Sequence, residues 1–246
     1  MKAEGHMLRK MLVFGITSTV VLAELPALAQ QQSGQQAIEE IEIFANNRRA
    51  EGLTDVNAAV SVINEEELDL IGHSHYQEAL TRVPGFSGNR NNGQESLMAI
   101  RSPVLTGAGA CGAFLIAENG IPVRSAGFCN VNEMFDTHSE YAQSIEVIRG
   151  PASAFWGSNA LHGLVNVRLP NPGEVGELSL ERGPRGSYRT KAAFGTDSGN
   201  FKQSLYLTGV NEEGYRDDSG VDQQKASWLY EYTLGNGVQM EGGFTF

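Results

Sequence analysis

From Glu177 to the C-terminus, apolar and polar residues alternate with a period of two. Segments at Glu177–Arg182, Tyr188–Thr196, Phe201–Val210, Trp228–Leu234 and Val238–Phe246 are separated by Gly, Asp or Asn. This pattern predicts consecutive antiparallel strands. In the last segment Val238, Met240, Gly242, Phe244 and Phe246 share one face, and Gln239, Glu241, Gly243 and Thr245 share the other. In a soluble sandwich the apolar face is the core. In a transmembrane barrel it faces lipid and the polar face lines the lumen. The alternation fits both. Trp228, Tyr230 and Tyr232, on one face of a single segment, suit an interfacial aromatic girdle.

Upstream of Gly173 the periods are mixed. Val56–Ile63 reads as a strand, after which Asn64 caps a helix whose first turn holds Glu65, Glu66 and Glu67. Gly72 ends that helix. Ser74 is the expected cap of a second one, with Gln77 at the capping-box position, running through Leu80 to Val83 and stopped by Pro84-Gly85. Short strands follow at Met98–Arg101, Phe114–Ile116 and Ile121–Val123, the last two joined through Glu118-Asn119-Gly120. Asn-Gly is a type I′ hairpin signal. Ile145, Val147 and Ile148 mark another strand, broken by Arg149-Gly150-Pro151. After the small-residue stretch Ala152–Gly157, Leu164–Val167 forms one more, ending at Pro170-Asn171-Pro172. Helices and strands in this order make an α+β unit.

The N-terminus adds a compartment. Arg9 and Lys10 precede an apolar run, Met11 to Ala23, too short to span a bilayer comfortably, and Ala27-Leu28-Ala29 is an A-x-A cleavage site before Gln30. Residues 1–29 are therefore expected to be a cleaved export signal, with Met7 an alternative start. Gln30–Gln36 is polar low-complexity sequence. Glu39-Glu40-Ile41-Glu42-Ile43-Phe44-Ala45 then alternates as a short strand on a flexible leader.

Composition removes several classes. The 246 residues carry a net charge of −11, against the basic face that non-specific nucleic-acid binding needs. Apolar content of 41% and charged content of 19% exclude a disordered chain or a helical membrane protein. No nucleophile elbow, H-E-x-x-H, phosphate loop or recognisable carboxylate pair is present, so no enzyme activity and no cofactor are expected. Cys111 and Cys129 cannot complete a zinc site by themselves, and His73 and His75 read as solvated or capping side chains rather than metal ligands.

The stretch Ser144 to Pro172 carries the most specific wording. Ile145-Glu146-Val147-Ile148-Arg149-Gly150-Pro151, Ser153-Ala154, Trp156-Gly157, Ala160, Gly163 and Val165-Asn166-Val167 fall in register on the pattern that ends the plug domain of TonB-dependent outer-membrane receptors, which they closely resemble. His162 departs from the family's usual Gly. The resemblance runs in consistent order from about residue 39 to 170. Ala79–Phe86 resembles its L-x-x-V-P-G segment and Met98–Arg101 its I-R-G strand, with Ser102-Pro103 replacing Gly. Phe114–Val123 resembles its hairpin.

The resemblance implies an α+β plug domain followed by the first antiparallel strands of a transmembrane β-barrel. Residues 30–50 would be a flexible leader with a TonB box, 51–172 the plug and 173–246 about five barrel strands. It implies that Glu39, Glu40, Ile41, Glu42, Ile43, Phe44 and Ala45 pair as an added strand with the periplasmic TonB protein. Glu42 and Phe44 differ from the commonest box residues. The leader of about eight residues is too short for the extra signalling domain that some receptors carry. The loops around 87–95 and 105–130 would rise to the outer apex, making Arg90, Asn91, Asn92, Arg124 and Phe128 the ligand-contact candidates. Cys111 and Cys129 would form a disulfide worth about 3 kcal/mol. Glu146 and Arg149 would be structural, ion-paired within the plug or against the wall, alongside Gly150, Pro151, Gly157 and Gly163. Five strands cannot close a barrel of about 22, so Phe246 reads as a truncation point of a longer transporter. That transporter would take up a scarce solute such as a siderophore, cobalamin, haem or oligosaccharide. Its other partners would be outer-membrane lipid and the barrel-assembly machinery, with no nucleic acid. A TonB-independent porin or adhesin, or a soluble plug-like periplasmic binding module, are the alternatives.

Overall fold

The computed structural model describes residues 42–45, 50–90, 96–102, 114–123, 133–184, 186–214 and 219–246. Chain order begins with the two-residue strands β1 (Glu42–Ile43) and β2 (Glu51–Gly52), paired antiparallel. Strand β3 (Val60–Asn64) leads directly into α1 (Glu65–Ile71). Asn64 Oδ1 accepts from Glu67 N and the Glu67 carboxylate accepts from Asn64 N, the expected reciprocal cap, and Gly72 closes the helix at φ 54°. The strand is shorter than the sequence indicates, because residues 53–55 form a 3-10 turn and Val60 N donates back to Ala58 O.

Helix α2 (Tyr76–Leu80) is capped by His75 and not by Ser74. The imidazole Nδ1 accepts from Gln77 N at 3.1 Å, while Ser74 N donates to the Glu78 carboxylate. Ser74 resembles a cap in sequence, but the ring one residue later reaches the free N–H. Strands β4 (Phe86–Arg90) and β5 (Ser96–Ile100) pair next, then β6 (Phe114–Glu118) and β7 (Ile121–Pro122). Asn119 and Gly120 both have positive φ, 48° and 76°, as a type I′ turn requires.

Two 3-10 turns, Glu133–Asp136 and Ser139–Tyr141, precede β8 (Ser144–Arg149). The small-residue stretch folds as α3 (Ser153–Trp156) and a 3-10 turn before β9 (Gly163–Arg168). The resulting sheet has the order β3-β8-β9-β6-β7, with β6 parallel to β9 and the other pairs antiparallel. Its central strands are covered on both faces, which is why β8 and β9 are nearly unbroken apolar runs. One face packs Leu80, Met98, Ile100, Met134, Ile145 and Val165, and the other packs Leu115, Trp156 and Leu164. Gly163 is required by close approach: a Cβ there would collide with the Ile148 carbonyl oxygen.

The remaining strands form a meander of β10 (Val175–Arg182), β11 (Tyr188–Asp197), β12 (Phe201–Glu212), β13 (Val221–Thr233) and β14 (Gln239–Thr245), each antiparallel to the next. The sheet is not closed on itself. Strand β13 begins seven residues before Trp228, where the sequence pattern starts it. Asp222, Gln223, Gln224 and Lys225 read as loop, yet Lys225 points into the interior. The meander is apolar on its outer face, and its inner face mixes polar groups with the buried Ala193, Tyr206 and Leu229. Leu178, Leu180, Phe194, Leu207, Trp228, Met240 and Phe244 are exposed, while Ser204, Thr208, Lys225 and Ser227 are buried against the first unit. A soluble sandwich would have the opposite arrangement, and a barrel wall facing lipid has this one. A charge on that outer face should be costly. Leu207→Arg is expected to lower stability in lipid vesicles by about 2–4 kcal/mol if it sits near the midplane, read by reversible urea unfolding.

Candidate functional site

The strand candidate of the leader lies on the α+β unit, and its backbone is held by side chains. Of its seven residues, Glu42, Ile43, Phe44 and Ala45 are described, while Glu39, Glu40 and Ile41 lie outside the described residues. Ile43 and Ala45 are buried and Glu42 is exposed. The Glu146 carboxylate receives both free N–H groups of the segment: Phe44 N donates to Oε1 at 3.0 Å and Ala45 N to Oε2 at 2.8 Å. The Trp156 indole N–H donates to Ala45 O at 2.7 Å. The Arg168 guanidinium lies 4.9 Å from the centre of the Phe44 ring.

Glu146 and Arg168 are placed by the central strands and Trp156 by α3. Glu146 sits on β8 directly across from Asn166 on β9. Asn166 Nδ2 donates to Glu146 Oε2 at 3.0 Å, and its Oδ1 accepts from Gly120 N at 2.9 Å. One amide thus joins the carboxylate to the β6–β7 turn. Gly120 also lies against Phe44, since a Cβ built there would be 2.7 Å from its ring. The turn therefore needs Gly twice, for its positive φ and for the phenyl group. Glu146 is 2% exposed and bonded to two backbone N–H groups and an amide rather than to a cation. Such charge-assisted bonds are the strong kind.

Arg149 is arranged differently. Its Nη1 and Nη2 reach the carbonyls of Pro84 and Val60 at 3.5 and 3.4 Å, and Nε is buried without a partner. Among the described residues it has no carboxylate within ion-pair distance. Pro151 is exposed, and Gly150 and Gly157 take positive φ at the two ends of the break that sets α3 under the segment. Arg90 is exposed at the end of β4, 3.4 Å from the Glu78 carboxylate. Asn91, Asn92, Cys111, Arg124, Phe128 and Cys129 lie outside the described residues. His73 Nε2 contacts Ser139 Oγ at 3.2 Å.

A second polar cluster joins the unit to the meander. Lys225 Nζ bonds both Glu140 carboxylate oxygens at 3.0 Å and Thr137 O at 2.8 Å, with both charged side chains 6% exposed. His138 bridges Ser227 Oγ at Nδ1 (2.7 Å) and Thr208 Oγ1 at Nε2 (3.0 Å). The Glu118 carboxylate receives His138 N and the Thr245 hydroxyl, both at 2.7 Å. Burial pushes the Glu140 carboxyl up, but the Lys225 ammonium, with His138 and the hydrogen bonds, outweighs it and holds the group below the usual carboxylate range. Sequence reading missed this cluster and the Asn166–Trp156 seat. Asn166, polar at the centre of an apolar strand, is the one signal that could have found the latter.

Residues 53–164 match the family described as TonB-dependent Receptor Plug Domain. The chain is 29% identical over 175 residues to the vitamin B12 transporter BtuB of Photobacterium profundum, covering 69% of this chain and 27% of that protein. In fold it is similar to the pyoverdine outer-membrane receptor FpvA of Pseudomonas aeruginosa, with a TM-score of 0.69 at 16% identity over 83% of this chain and 29% of that one. It is also similar to the siderophore receptor PiuA of Acinetobacter baumannii, with a TM-score of 0.63 at 19% identity over 79% and 27%. The chain therefore spans about a third or less of the length of these relatives. Residues 53–164 therefore carry a plug domain of the TonB-dependent receptor type, and the chain has the fold of the plug and first barrel strands of such receptors.

Proposed function

We propose that this chain is part of a receptor that captures a scarce extracellular solute and passes it into the periplasm when TonB engages residues 39–45. The observation that carries this reading is the seat of the 42–45 segment. Its free backbone N–H groups and the Ala45 carbonyl are held by plug side chains rather than by a permanent sheet. Strand addition by a partner needs those same backbone groups, so the segment is an edge that can be exchanged. Only the two-residue pairing with β2 and the seat must be broken.

The solute is a siderophore, cobalamin, haem or oligosaccharide, consistent with the names of the relatives: a vitamin B12 transporter, a pyoverdine receptor and a siderophore receptor. Arg90, Asn91, Asn92, Arg124 and Phe128 contact it at the outer apex, and a Cys111–Cys129 disulfide closes the loops there. Residues 1–29 are the export signal, 30–50 the leader, 51–172 the plug and 173–246 the first strands of a wall inserted by the barrel-assembly machinery. The family is one of transport receptors, and no catalytic step is assigned. Deleting 39–45 from the full-length receptor is expected to leave solute binding to whole cells unchanged and reduce uptake to background. Uptake that survives the deletion would sink the reading.

A further inference from the structure

We propose that His138 is a proton-sensitive pin between plug and wall: neutral, it ties residues 137–141 to β12 and β13, and protonated, it lets that segment part from them. This rests on the plug-and-wall arrangement and not on transport.

The argument starts from a chain of hydroxyl groups. Thr245 Oγ1 donates its one proton to Glu118 Oε1. The 2.9 Å contact between Ser227 and Thr245 must then be filled by the Ser227 proton. Ser227 Oγ has no proton left for the imidazole, so it accepts from Nδ1–H of His138 at 2.7 Å. Nε2 is then the lone-pair nitrogen, and Thr208 donates to it at 3.0 Å. With neutral His138 every contact in the row from Glu118 to Thr208 holds one proton. A second ring proton, on Nε2, turns that nitrogen into a donor facing the proton of Thr208. It also places a cation in a site that is fully enclosed.

The charged and titratable neighbours decide the sign. Glu118 on β6 accepts from the His138 backbone N–H, and Glu140, beside Tyr141 in the 3-10 turn, acts on the ring from the plug. Lys225 on β13 and Lys191 on β11 face it from the wall, and Tyr206 on β12 lies behind Tyr141. Burial, the largest effect, holds the imidazole down at about 4 against an ordinary 6.5; Glu140 opposes this and the two ammonium groups add to it. A base held down in the docked state binds protons more readily when undocked. Docking is thus strongest above about pH 6.5 and weakens as pH falls toward 4. Through His138 alone, the undocked fraction should rise about tenfold at pH 5.5. Glu118 acts the other way, since burial raises its carboxyl and acid favours the docked form. His73, also held down by burial, acts in the same sense as His138 through Ser139.

Hydrogen exchange of amides 133–141, corrected for intrinsic chemical rates, would be measured at pH 7.5 and 5.5 on the full-length receptor in phospholipid nanodiscs. His138→Gln keeps a hydrogen-bonding amide that never charges. The acid-induced acceleration is expected to be about tenfold larger in the wild type than in His138→Gln, a ratio in which Glu118 and His73 cancel. Equal acceleration in the two proteins overturns the pin. Fast exchange at both pH values overturns the docked arrangement itself. If His138→Gln does not fold, nitrogen NMR of the wild-type ring gives an independent answer. A midpoint well below 6.5 with the proton on Nδ1 supports the pin, and a midpoint near 6.5 or a proton on Nε2 refutes it.

Discussion

Glu146→Ala is expected to free the 42–45 segment from the plug in the absence of any solute. The carboxylate accepts the Phe44 and Ala45 N–H groups and the Asn166 amide. Its removal leaves buried donors unpaired, each at about 1–3 kcal/mol. The backbone donors recover water only when the segment lifts off. A seat weakened by about 3 kcal/mol corresponds to a shift on the order of a hundredfold toward the lifted form. The measurement is the affinity of the TonB C-terminal domain for the solute-free, full-length receptor, with alkylation of a cysteine placed at position 44 as a direct report of exposure. Both should increase. Trp156→Phe removes the indole N–H donated to Ala45 O and should shift the balance by about the worth of one hydrogen bond, about 1 kcal/mol. If Trp156→Phe has the greater effect, or Glu146→Ala leaves alkylation at its wild-type rate, the carboxylate does not hold the segment.

Lys225→Met should be the most damaging change at the joint between plug and wall. It leaves the Glu140 carboxylate buried and uncompensated and removes the donor to Thr137 O. Breaking a buried pair from one side typically loses about 3–5 kcal/mol, whereas removing both charges together loses far less. The double variant Lys225→Met/Glu140→Gln is therefore expected to recover at least half of the loss. Thermal unfolding of the single, double and wild-type receptors in detergent closes the cycle. Purely additive losses would mean that the two groups are neighbours without being partners.

Local chemistry was well legible in the sequence and long-range partnership was not. The Asn64 cap, the Asn119-Gly120 turn and the outer-face alternation of the last strands are settled by residues a few positions apart, and the structure has all three. The strand at Val221–Ala226 was hidden because its polar side chains resemble a solvated loop, although Lys225 faces an interior that contains Glu140. Glu146 stood out in the plug motif, but its partners are about a hundred residues away in the leader. No periodicity encodes that distance. Arg149 was expected to find an ion pair and instead reaches carbonyl groups. His138, Thr208, Ser227 and Thr245 come from four separate segments and share no spacing. Only the folded wall brings them together.

The passage from β9 to β10 sets a leash length. Six residues, 169 to 174, separate Arg168 from Val175. Over the seven steps from Arg168 to Val175, at about 3.3–3.6 Å each, they can straighten to no more than about 25 Å, about the height of an outer-membrane barrel's apolar band. The leash is also stitched at both ends: Leu169 N donates to Asn119 Oδ1, and Ser204 Oγ bonds both Gly173 N and Gly173 O at 2.9 Å. However hard residue 42 is pulled from below, the far end of β9 stays moored inside the wall, and slack for an opening has to come from the chain ahead of it.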